Sequence, residues 1–174
     1  MSHYATLSTP IGELLLRAEG ERLSGVFHLE VAQPAKAVSQ WRYDPDPETS
    51  PPAVLKEAQA QLDAYFSHRL ERFDLPLAAH GSAFQQRVWA ALAEVPFGDT
   101  ASYGELASRL GFGARHARAI GAAVGRNPLC LVVPCHRVLG RGGELRGYAG
   151  GIGRKRWLLE HEGVLSAPLW ASID

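Results

Sequence analysis

The sequence predicts a mixed α/β (α+β) protein, in which a small N-terminal antiparallel sheet with a covering helix precedes a mainly helical part containing a helix-turn-helix. Segments of alternating polarity, separated by Gly and Pro turns, fill the first 29 residues and are typical of short strands. Apolar residues then recur at helical spacing. Two capping-box patterns after residue 81 mark the starts of further helices.

The composition is that of an ordinary globular protein, because 174 residues carry 18 basic and 18 acidic side chains and 46% are hydrophobic. The two cysteines, Cys130 and Cys135, are too few to hold such a chain together by disulfides. The N-terminal residues lack a charged region followed by a long apolar run, and no stretch approaches 18 consecutive apolar residues. We therefore expect a cytoplasmic protein without a signal peptide or a membrane span.

Two or three strands are predicted in the N-terminal part, in the segments 3–8, 13–18 and 23–29, with turns that contain Gly12 and Gly20. A polar, Pro-rich loop follows. After two consecutive prolines a helix begins, and its apolar face would cover the sheet. That face contains Val54, Leu55, Ala58, Leu62, Tyr65 and Phe66.

A second loop, at 71–81, separates this region from almost purely helical signals. We therefore expect a supporting domain at 1–78 and a second domain at 79–174. In the second domain, capping boxes predict helices that begin after Ser82 and after Ser102.

The helix after Ser102 would end at Gly111, and after a short turn another helix would occupy 114–124. This spacing, at about 102–125, predicts a helix-turn-helix. A helix pair used only for packing has the same pattern. The many small residues of the second helix suit either a close approach to a nucleic-acid groove or tight helix packing, so both interpretations stay open.

The remaining segments lead to and follow the second cysteine. Residues 129–133 are apolar and are predicted to form a short buried strand or an extended segment. Glycines indicate a turn at 140–143 and a loop at 147–151, and a last helix is predicted at 152–161, with Gly163 just beyond its end.

Charge is unevenly distributed along the chain. Residues 1–108 carry 8 basic and 14 acidic side chains, 109–156 carry 10 and 1, and 157–174 carry 0 and 3. Nine of the ten cations in the middle segment are Arg, which suits planar recognition of phosphate. The segment therefore predicts a polyanion-binding surface. Pairing with the acidic N-terminal part is the alternative, and charge alone does not separate the two.

Cys135 lies between Pro134 and His136, and three arginines occur within nine residues of it. A positive neighbourhood favours the thiolate and makes a cysteine nucleophilic. Glu162, near the end of the last helix, could hold a histidine in one tautomer and stabilise its charged form. An inert, buried cysteine is the alternative.

Several motifs occur in order around this cysteine. With PCHRV at 134–138 as the most specific of them, they resemble the O6-alkylguanine-DNA alkyltransferase family over about residues 82–163. The other motifs are VPFG at 95–98, SYGELA at 102–107, ARAIG at 117–121, RNP at 126–128, GYAGG at 147–151 and WLLEHEG at 157–163.

The resemblance implies a DNA repair protein that moves an alkyl group from guanine O6 in duplex DNA onto its own Cys135, irreversibly and once, after flipping the nucleotide. His136 would deprotonate Cys135 through a water molecule, while Glu162 orients that histidine and favours its charged form. Tyr103 would protonate or hydrogen-bond a guanine ring nitrogen, so that guanine leaves as a neutral molecule.

The resemblance also implies how DNA and the damaged base are bound. The helix-turn-helix would lie in the minor groove with little sequence preference, and Arg118 would fill the space of the flipped nucleotide. Asn127 would tie the helix-turn-helix to the active-site segment. We expect a monomer, with cooperative binding along DNA left open. The expected DNA contacts are Arg118, Ala117, Arg126 and Tyr103, and the expected substrate-binding residues are Asn127, Val138, Tyr148, Ala149 and Gly150.

Two features depart from some family members. Where others have serine, this chain has Ala149, so backbone amides would bind the guanine oxygen and the substrate range stays open. Others hold a structural zinc with N-terminal cysteines, whereas 1–129 contains no cysteine, so we predict no metal. No cofactor motif occurs, and no cofactor is expected. Four histidines lack the spacing of metal ligands and are expected on the surface or in loops: His3, His28, His68 and His80.

Three other functions are weighed. A non-catalytic damage sensor similar to this family would carry Trp in place of the cysteine, which the presence of Cys135 opposes. A thiol-redox protein using Cys130 and Cys135 is disfavoured by the four-residue gap and the apolar surroundings. A plain helix-turn-helix regulator would need sequence preference and usually a dimer, and no heptad or self-complementary patch is visible.

Overall fold

The computed structural model describes residues 2–31 and 51–166. It confirms the mixed α/β fold, with an N-terminal antiparallel sheet in the order β1-β2-β3. The register pairs Leu16 of the central strand with Val26, and both side chains are buried. The strands are β1 (Ser2–Thr9), β2 (Gly12–Glu19) and β3 (Arg22–His28).

Helix α1 (Ala53–Phe66) packs across all three strands, as its apolar face predicts. It begins after Pro52, whose φ of −51° suits a helix start and whose missing N–H removes no helical hydrogen bond there. The predicted face is buried except for Phe66, which is partly buried against the core. The helix therefore covers one face of the sheet and leaves the free edge of β3 to the rest of the chain.

The edge of β3 that does not face β2 forms hydrogen bonds with two later segments of the chain. Leu23 donates its N–H to the carbonyl of Pro76 at 2.8 Å, and Val26 donates to that of Pro128 at 2.8 Å. The N–H of Cys130 in turn reaches the carbonyl of Val26 at 3.3 Å. The sheet thus fixes the backbone a few residues before Cys135.

Between residues 79 and 166 the structure contains four α-helices. Both predicted capping boxes are confirmed, since the side chains of Ser82 and Ser102 each accept the N–H three residues later and the reciprocal bond is also made. A short pair of parallel strands places residues 101–102, just before Tyr103, beside residues 138–139. The elements are α2 (Ala83–Ala93), β4 (Ala101–Ser102), α3 (Tyr103–Arg109), α4 (Ala117–Gly125), β5 (Val138–Leu139) and α5 (Ile152–His161).

Helices α3 and α4 form the predicted helix-turn-helix, with one difference. Gly111 has φ 81° and follows α3, where the N–H of Phe112 donates to the carbonyl of Ala107 at 2.8 Å. The second helix was expected from residue 114, but Ala114–His116 forms a 3-10 turn and the α-helix begins at Ala117. Such tight turns are common at helix starts.

The extended segment expected over 129–133 is wrong beyond its first residue. Leu129 pairs with β3, but the chain then turns, and Leu131 has φ 72°. The cause is Asn127, whose side chain accepts the N–H of Leu129 at 3.0 Å and donates to the carbonyl of Val133 at 2.8 Å. Residues Cys135–Arg137 likewise form a 3-10 turn, not an extended strand.

One cluster of buried hydrophobic residues extends through both parts, from Leu14 and Leu62 to Leu92, Leu129 and Leu158. The predicted domain boundary near residue 78 lies beside the contact of Leu77 with β3 and stays a prediction. Among residues 2–31 and 51–166, no helix has the length and apolar character needed to cross a bilayer.

Candidate active site

Cys135 lies in the 3-10 turn with only 5% of its surface exposed, so a substrate atom can reach its sulfur only inside a pocket. The hydrogen bond from the Cys130 thiol lowers the pKa of Cys135. Burial opposes this, while Asn127 and the charge of Lys155 support it, and the net pKa is below the usual value. The surroundings therefore favour the nucleophilic thiolate, but through Cys130, Asn127 and Lys155 and not through the neighbouring arginines from which it was expected.

Asn127 directly follows the second helix of the helix-turn-helix and is buried. Its two side-chain bonds, to Leu129 and Val133, hold both ends of the turn that leads to Cys135. The structure thus joins the end of α4 to the cysteine segment through one side chain, which is the geometry that its expected role requires.

His136 and Glu162 are both buried, and Nε2 of His136 lies 2.8 Å from Oε1 of Glu162. A carboxylate can only accept, so Nε2 carries the hydrogen and donates it. The other nitrogen, Nδ1, is buried and has no hydrogen-bond partner among the described residues. It presents a lone pair, which is the arrangement of a general base.

Glu162 also accepts hydrogen bonds from Arg137, a residue that was not predicted from the sequence to belong to the site. The Nε of Arg137 donates to Oε2 at 2.9 Å and its Nη2 donates to Oε1 at 2.8 Å. Burial alone would raise the pKa of Glu162, but hydrogen bonds from His136 and Arg137 lower it to about 2. The carboxylate is therefore anionic at neutral pH.

His136 is expected to deprotonate Cys135, which requires that its ring be neutral before the reaction. Burial lowers the pKa of His136, and the hydrogen bond to Glu162 opposes this shift without reversing it. The charges of Arg137 and Lys155 lower the pKa further. At neutral pH His136 is therefore neutral and able to accept a proton.

Lys155 is a second residue that sequence reasoning missed. It is fully buried, and its Nζ donates to the carbonyl of Val138 and, at 2.6 Å, to that of Arg146. Burial lowers the pKa of Lys155 to about 8. Its position on the same helical face as Leu158 and Leu159 is the sequence signal, because a lysine on an apolar face needs buried acceptors.

The loop that holds the other expected pocket residues packs against the N-terminal sheet. The hydroxyl of Tyr148 lies 2.7 Å from Nε2 of His28, and the carbonyl of Gly150 accepts from Nη1 of Arg154 at 3.0 Å. Ala149 is exposed. His28 was expected at the surface but is 4% exposed, because the end of β3 lies beneath this loop.

Tyr103 begins α3 and is partly buried between α4 and the same loop. Its hydroxyl donates to the carbonyl of Arg146 at 3.4 Å, and a Cβ at Gly121 would lie 3.6 Å from its ring. Burial raises the pKa of Tyr103, and the negative charge of Cys135 raises it further. The phenol of Tyr103 therefore keeps its proton, and it lies close enough to Cys135 for the thiolate charge to act on it.

The helix-turn-helix presents exposed positive charge. Arg115, Arg118 and Arg126 are exposed and form no ion pair within the described part of the chain, and Ala117 is partly buried between them. Among residues 2–31 and 51–166, Arg154 is the one arginine of the segment 109–156 that pairs with an N-terminal carboxylate, at 2.5 Å from Glu30. This favours the polyanion-binding interpretation over charge pairing within the fold.

A groove of about 830 Å³ lies between the helix-turn-helix and the turn at 140–146. Tyr103 and Ala117 line it together with basic side chains. Two acidic residues, Glu105 and Glu144, also line it. The basic side chains are Arg109, Arg141 and Arg146. Within 2–31 and 51–166, no group of three or more His, Cys, Asp or Glu side chains could hold a metal ion.

Two family models match nearly all of the chain. One is described as the ribonuclease-like domain of 6-O-methylguanine DNA methyltransferase and matches residues 2–79. The other is the DNA-binding domain of 6-O-methylguanine DNA methyltransferase and matches residues 83–164.

Named relatives agree with these matches. The chain is 46% identical over 162 residues to the methylated-DNA--protein-cysteine methyltransferase of Mycobacterium tuberculosis, covering 93% of each chain. It is 40% identical over 161 residues to the protein of the same name from Methanosarcina acetivorans, covering 92% of this chain and 98% of the relative.

Solved structures show the same similarity. The crystal structure of Mycobacterium tuberculosis O6-methylguanine methyltransferase has a TM-score of 0.81 at 43% identity, with all of both chains covered. The crystal structure of Mycobacterium tuberculosis OGT in complex with DNA has a TM-score of 0.79 at 45% identity, with 92% of each chain covered.

Proposed function

The chain belongs to the 6-O-methylguanine DNA methyltransferase family, and from this we propose that it repairs O6-alkylguanine in duplex DNA by transferring the alkyl group to its own Cys135. The observation that carries the proposal is a buried cysteine of lowered pKa that follows Pro134 and precedes the buried His136–Glu162 pair. A neutral base and a fixed anion beside a thiol are what alkyl transfer to sulfur needs.

The transfer is a single displacement at the alkyl carbon. The thiolate of Cys135 attacks in line, so the sulfur–carbon bond forms while the bond from carbon to guanine O6 breaks. The bonding electron pair stays with guanine, and Tyr103 supplies a proton or hydrogen bond to a ring nitrogen so that the base leaves neutral. Such general-acid help typically contributes roughly two to four orders of magnitude in rate.

The proton of the Cys135 thiol passes to Nδ1 of His136 through a water molecule. The imidazolium that forms is stabilised by Glu162, whose hydrogen bond to Nε2 fixes the tautomer with Nδ1 unprotonated. Because a thioether is a poor leaving group, no step restores the thiolate. Each molecule therefore reacts once and needs no cofactor.

The damaged nucleotide must leave the duplex to react. Cys135 is 5% exposed, so its sulfur cannot reach an alkyl carbon on a base that stays paired and stacked in the duplex, and the nucleotide must be extruded into the protein. We infer that α4 enters the minor groove, where small residues such as Ala117 allow a close approach. Arg118 then fills the space of the flipped nucleotide, and Arg126 contacts the phosphate backbone.

The extruded base is bound by the loop after the active-site turn. Its pocket comprises the Val138 backbone, Tyr148 and the backbone at Ala149 and Gly150, and Asn127 holds the cysteine segment beside it. A methyl side chain at position 149 supplies no hydroxyl, so backbone amides bind the guanine oxygen. The protein acts as a monomer in the cytoplasm in this proposal, with double-stranded DNA as its partner.

The test is the mass of the protein and of its peptides after mixing with duplex DNA that contains one O6-methylguanine. We expect one methyl group per molecule, on the peptide that contains Cys135. Undamaged duplex and the Cys135→Ser variant are the controls and should give no gain. Tight binding to the lesion without a mass gain would make the chain a damage sensor and would overturn the catalytic roles above.

A further inference from the structure

His28 connects the N-terminal sheet to the loop that holds the proposed base pocket. It ends β3, is 4% exposed, and places Nε2 at 2.7 Å from the hydroxyl oxygen of Tyr148. The two rings meet edge to face, with centroids 5.3 Å apart. A residue 120 positions earlier in the sequence therefore contacts a side chain of the pocket.

The backbone is shaped to allow this contact. A Cβ at Gly150 would lie 2.8 Å from the ring of His28 and 2.7 Å from the ring of Tyr148, closer than real Cβ contacts come. The two rings thus occupy the space that a side chain at position 150 would need. Arg154 holds the same junction, because its Nε donates to the carbonyl of Ile11 at 2.7 Å while its Nη1 donates to that of Gly150.

The direction of the hydrogen bond between His28 and Tyr148 depends on which ring nitrogen of His28 carries the hydrogen. Burial, followed by the charge of Arg154, lowers the pKa of His28 to about 4, so the ring is neutral at physiological pH and has one N–H. Nδ1 is buried without a hydrogen-bond partner in the described part of the chain. In the tautomer that carries the hydrogen on Nε2, this nitrogen donates to the Tyr148 hydroxyl and Nδ1 is an unpaired acceptor.

This assignment leaves the hydroxyl hydrogen of Tyr148 free. Burial raises the pKa of Tyr148 well above its usual value, so the hydroxyl keeps that hydrogen. An oxygen that already accepts from His28 directs its own hydrogen away from the sheet. The hydrogen is then available to an acceptor atom of a base in the pocket.

We propose that His28 is a positioning residue for alkyl transfer: it orients the Tyr148 hydroxyl toward the extruded base and so makes the N-terminal sheet part of the substrate pocket. The inference rests on the proposed function, because it assigns a further residue to the support of the same pocket. His28 does not touch the base in this arrangement. Its effect is transmitted through Tyr148.

Two amide variants test the hydrogen bond at nearly constant polarity. In His28→Gln the side-chain nitrogen can occupy the place of Nε2 and restore the bond to Tyr148. In His28→Asn the amide is one methylene shorter and cannot reach it. Single-turnover transfer is followed at increasing protein concentration, which separates the half-saturating concentration from the limiting rate.

We expect His28→Asn to lower the ratio of limiting rate to half-saturating concentration by about three- to tenfold, as for the loss of one hydrogen bond. His28→Gln should recover most of it. Affinity for undamaged duplex should stay the same in both, because the DNA-binding surface is untouched. The exposed His80 provides a matched control, and His80→Asn should behave as the wild type does.

A double variant separates positioning from a general loss of packing. If His28 acts through Tyr148, then Tyr148→Phe combined with His28→Asn should transfer no more slowly than Tyr148→Phe alone. Independent, multiplying losses would overturn the proposal, and so would wild-type transfer by His28→Asn. Wild-type protein that gains no methyl group on Cys135 would instead overturn the proposed function, so the two failures are distinct.

Discussion

The hydroxyl of Tyr65 donates a 2.8 Å hydrogen bond to Oε1 of Glu162, the same oxygen that accepts from His136. Tyr65 lies on helix α1 and is fully buried, and the two residues are 97 positions apart. The backbone carbonyl of Tyr65 also lies 2.9 Å from Nε2 of His161. The helix that covers the sheet therefore helps to set the orientation of the carboxylate behind the proposed base.

Replacing Tyr65 by Phe tests this support with little change in volume. The variant should lose about 0.5–1.5 kcal/mol of unfolding free energy, as for one buried hydrogen bond, and transfer should slow severalfold because Glu162 is less well oriented. Urea unfolding and single-turnover transfer measure the two effects. Equal stability and an equal rate would mean that the bond does not contribute. Affinity for undamaged DNA should not move.

The charge of Glu162 can be removed without emptying its site. Both Glu162→Ala and Glu162→Gln deprive the buried Arg137 of its counter-charge and should cost several kcal/mol of unfolding free energy, but Glu162→Gln keeps the side-chain volume and one acceptor oxygen and is the more informative change. The amide still accepts from His136 but no longer stabilises the imidazolium. We expect transfer to slow by on the order of 100-fold.

Glu160→Gln is the matched control for that experiment, because it removes a carboxylate two residues away on the same helix and outside the proposed site. It should transfer the methyl group at the wild-type rate. If Glu162→Gln also reacts at that rate, the carboxylate has no part in the mechanism.

Much of this fold is visible in the sequence because its signals are local. The capping boxes at Ser82 and Ser102 each lie within four consecutive residues, and polarity patterns over seven or eight residues mark the strands. The segment after Leu129 was wrongly predicted to be extended. Its apolar residues alone do not show that the side chain of Asn127 bonds to Leu129 and Val133 and so bends the chain into a turn.

The supporting residues of the site were not predictable in the same way. Tyr65 reads as a core residue of an amphipathic helix, and His28 as one of several scattered histidines. Their partners lie 97 and 120 positions away, so only the tertiary fold brings them to Glu162 and Tyr148. By contrast, Cys135 and His136 are adjacent in the sequence, so the candidate nucleophile and the candidate base could be predicted from one local motif.

The buried His28 predicts a pH dependence of stability. Its pKa is about 4 in the folded protein and about 6.5 when exposed, so between these values the unfolded chain binds one more proton. Stability from this group is complete above about pH 6.5 and is lost as the pH falls toward 4, by up to about 1.4 kcal/mol per pH unit. The free energy of unfolding, measured with urea at pH 4.5, 5.5 and 6.5, should rise less steeply with pH for His28→Gln than for the wild type. Parallel slopes would contradict it, and His80→Gln should keep the wild-type slope.

Arg118 can be tested by separating extrusion from chemistry. In Arg118→Ala we expect transfer from duplex DNA to slow by about ten- to hundredfold, since filling the stack offsets part of an extrusion cost of a few kcal/mol. Transfer from a single-stranded oligonucleotide with the same lesion should change much less. Arg156→Ala removes another exposed arginine and controls for the lost charge. Unchanged rates on duplex DNA would remove Arg118 from this role.

Binding to undamaged duplex should depend steeply on salt, because the exposed Arg115, Arg118 and Arg126 are free to neutralise phosphates and release counterions. We expect the dissociation constant to rise by at least about tenfold between 50 and 200 mM salt, with the logarithm of affinity falling linearly against that of salt concentration. Fluorescence anisotropy of a labelled duplex measures this. In Arg126→Ala the slope should fall by about one unit, as for one lost phosphate contact. A flat salt response would mean that the positive segment is not the DNA-binding surface.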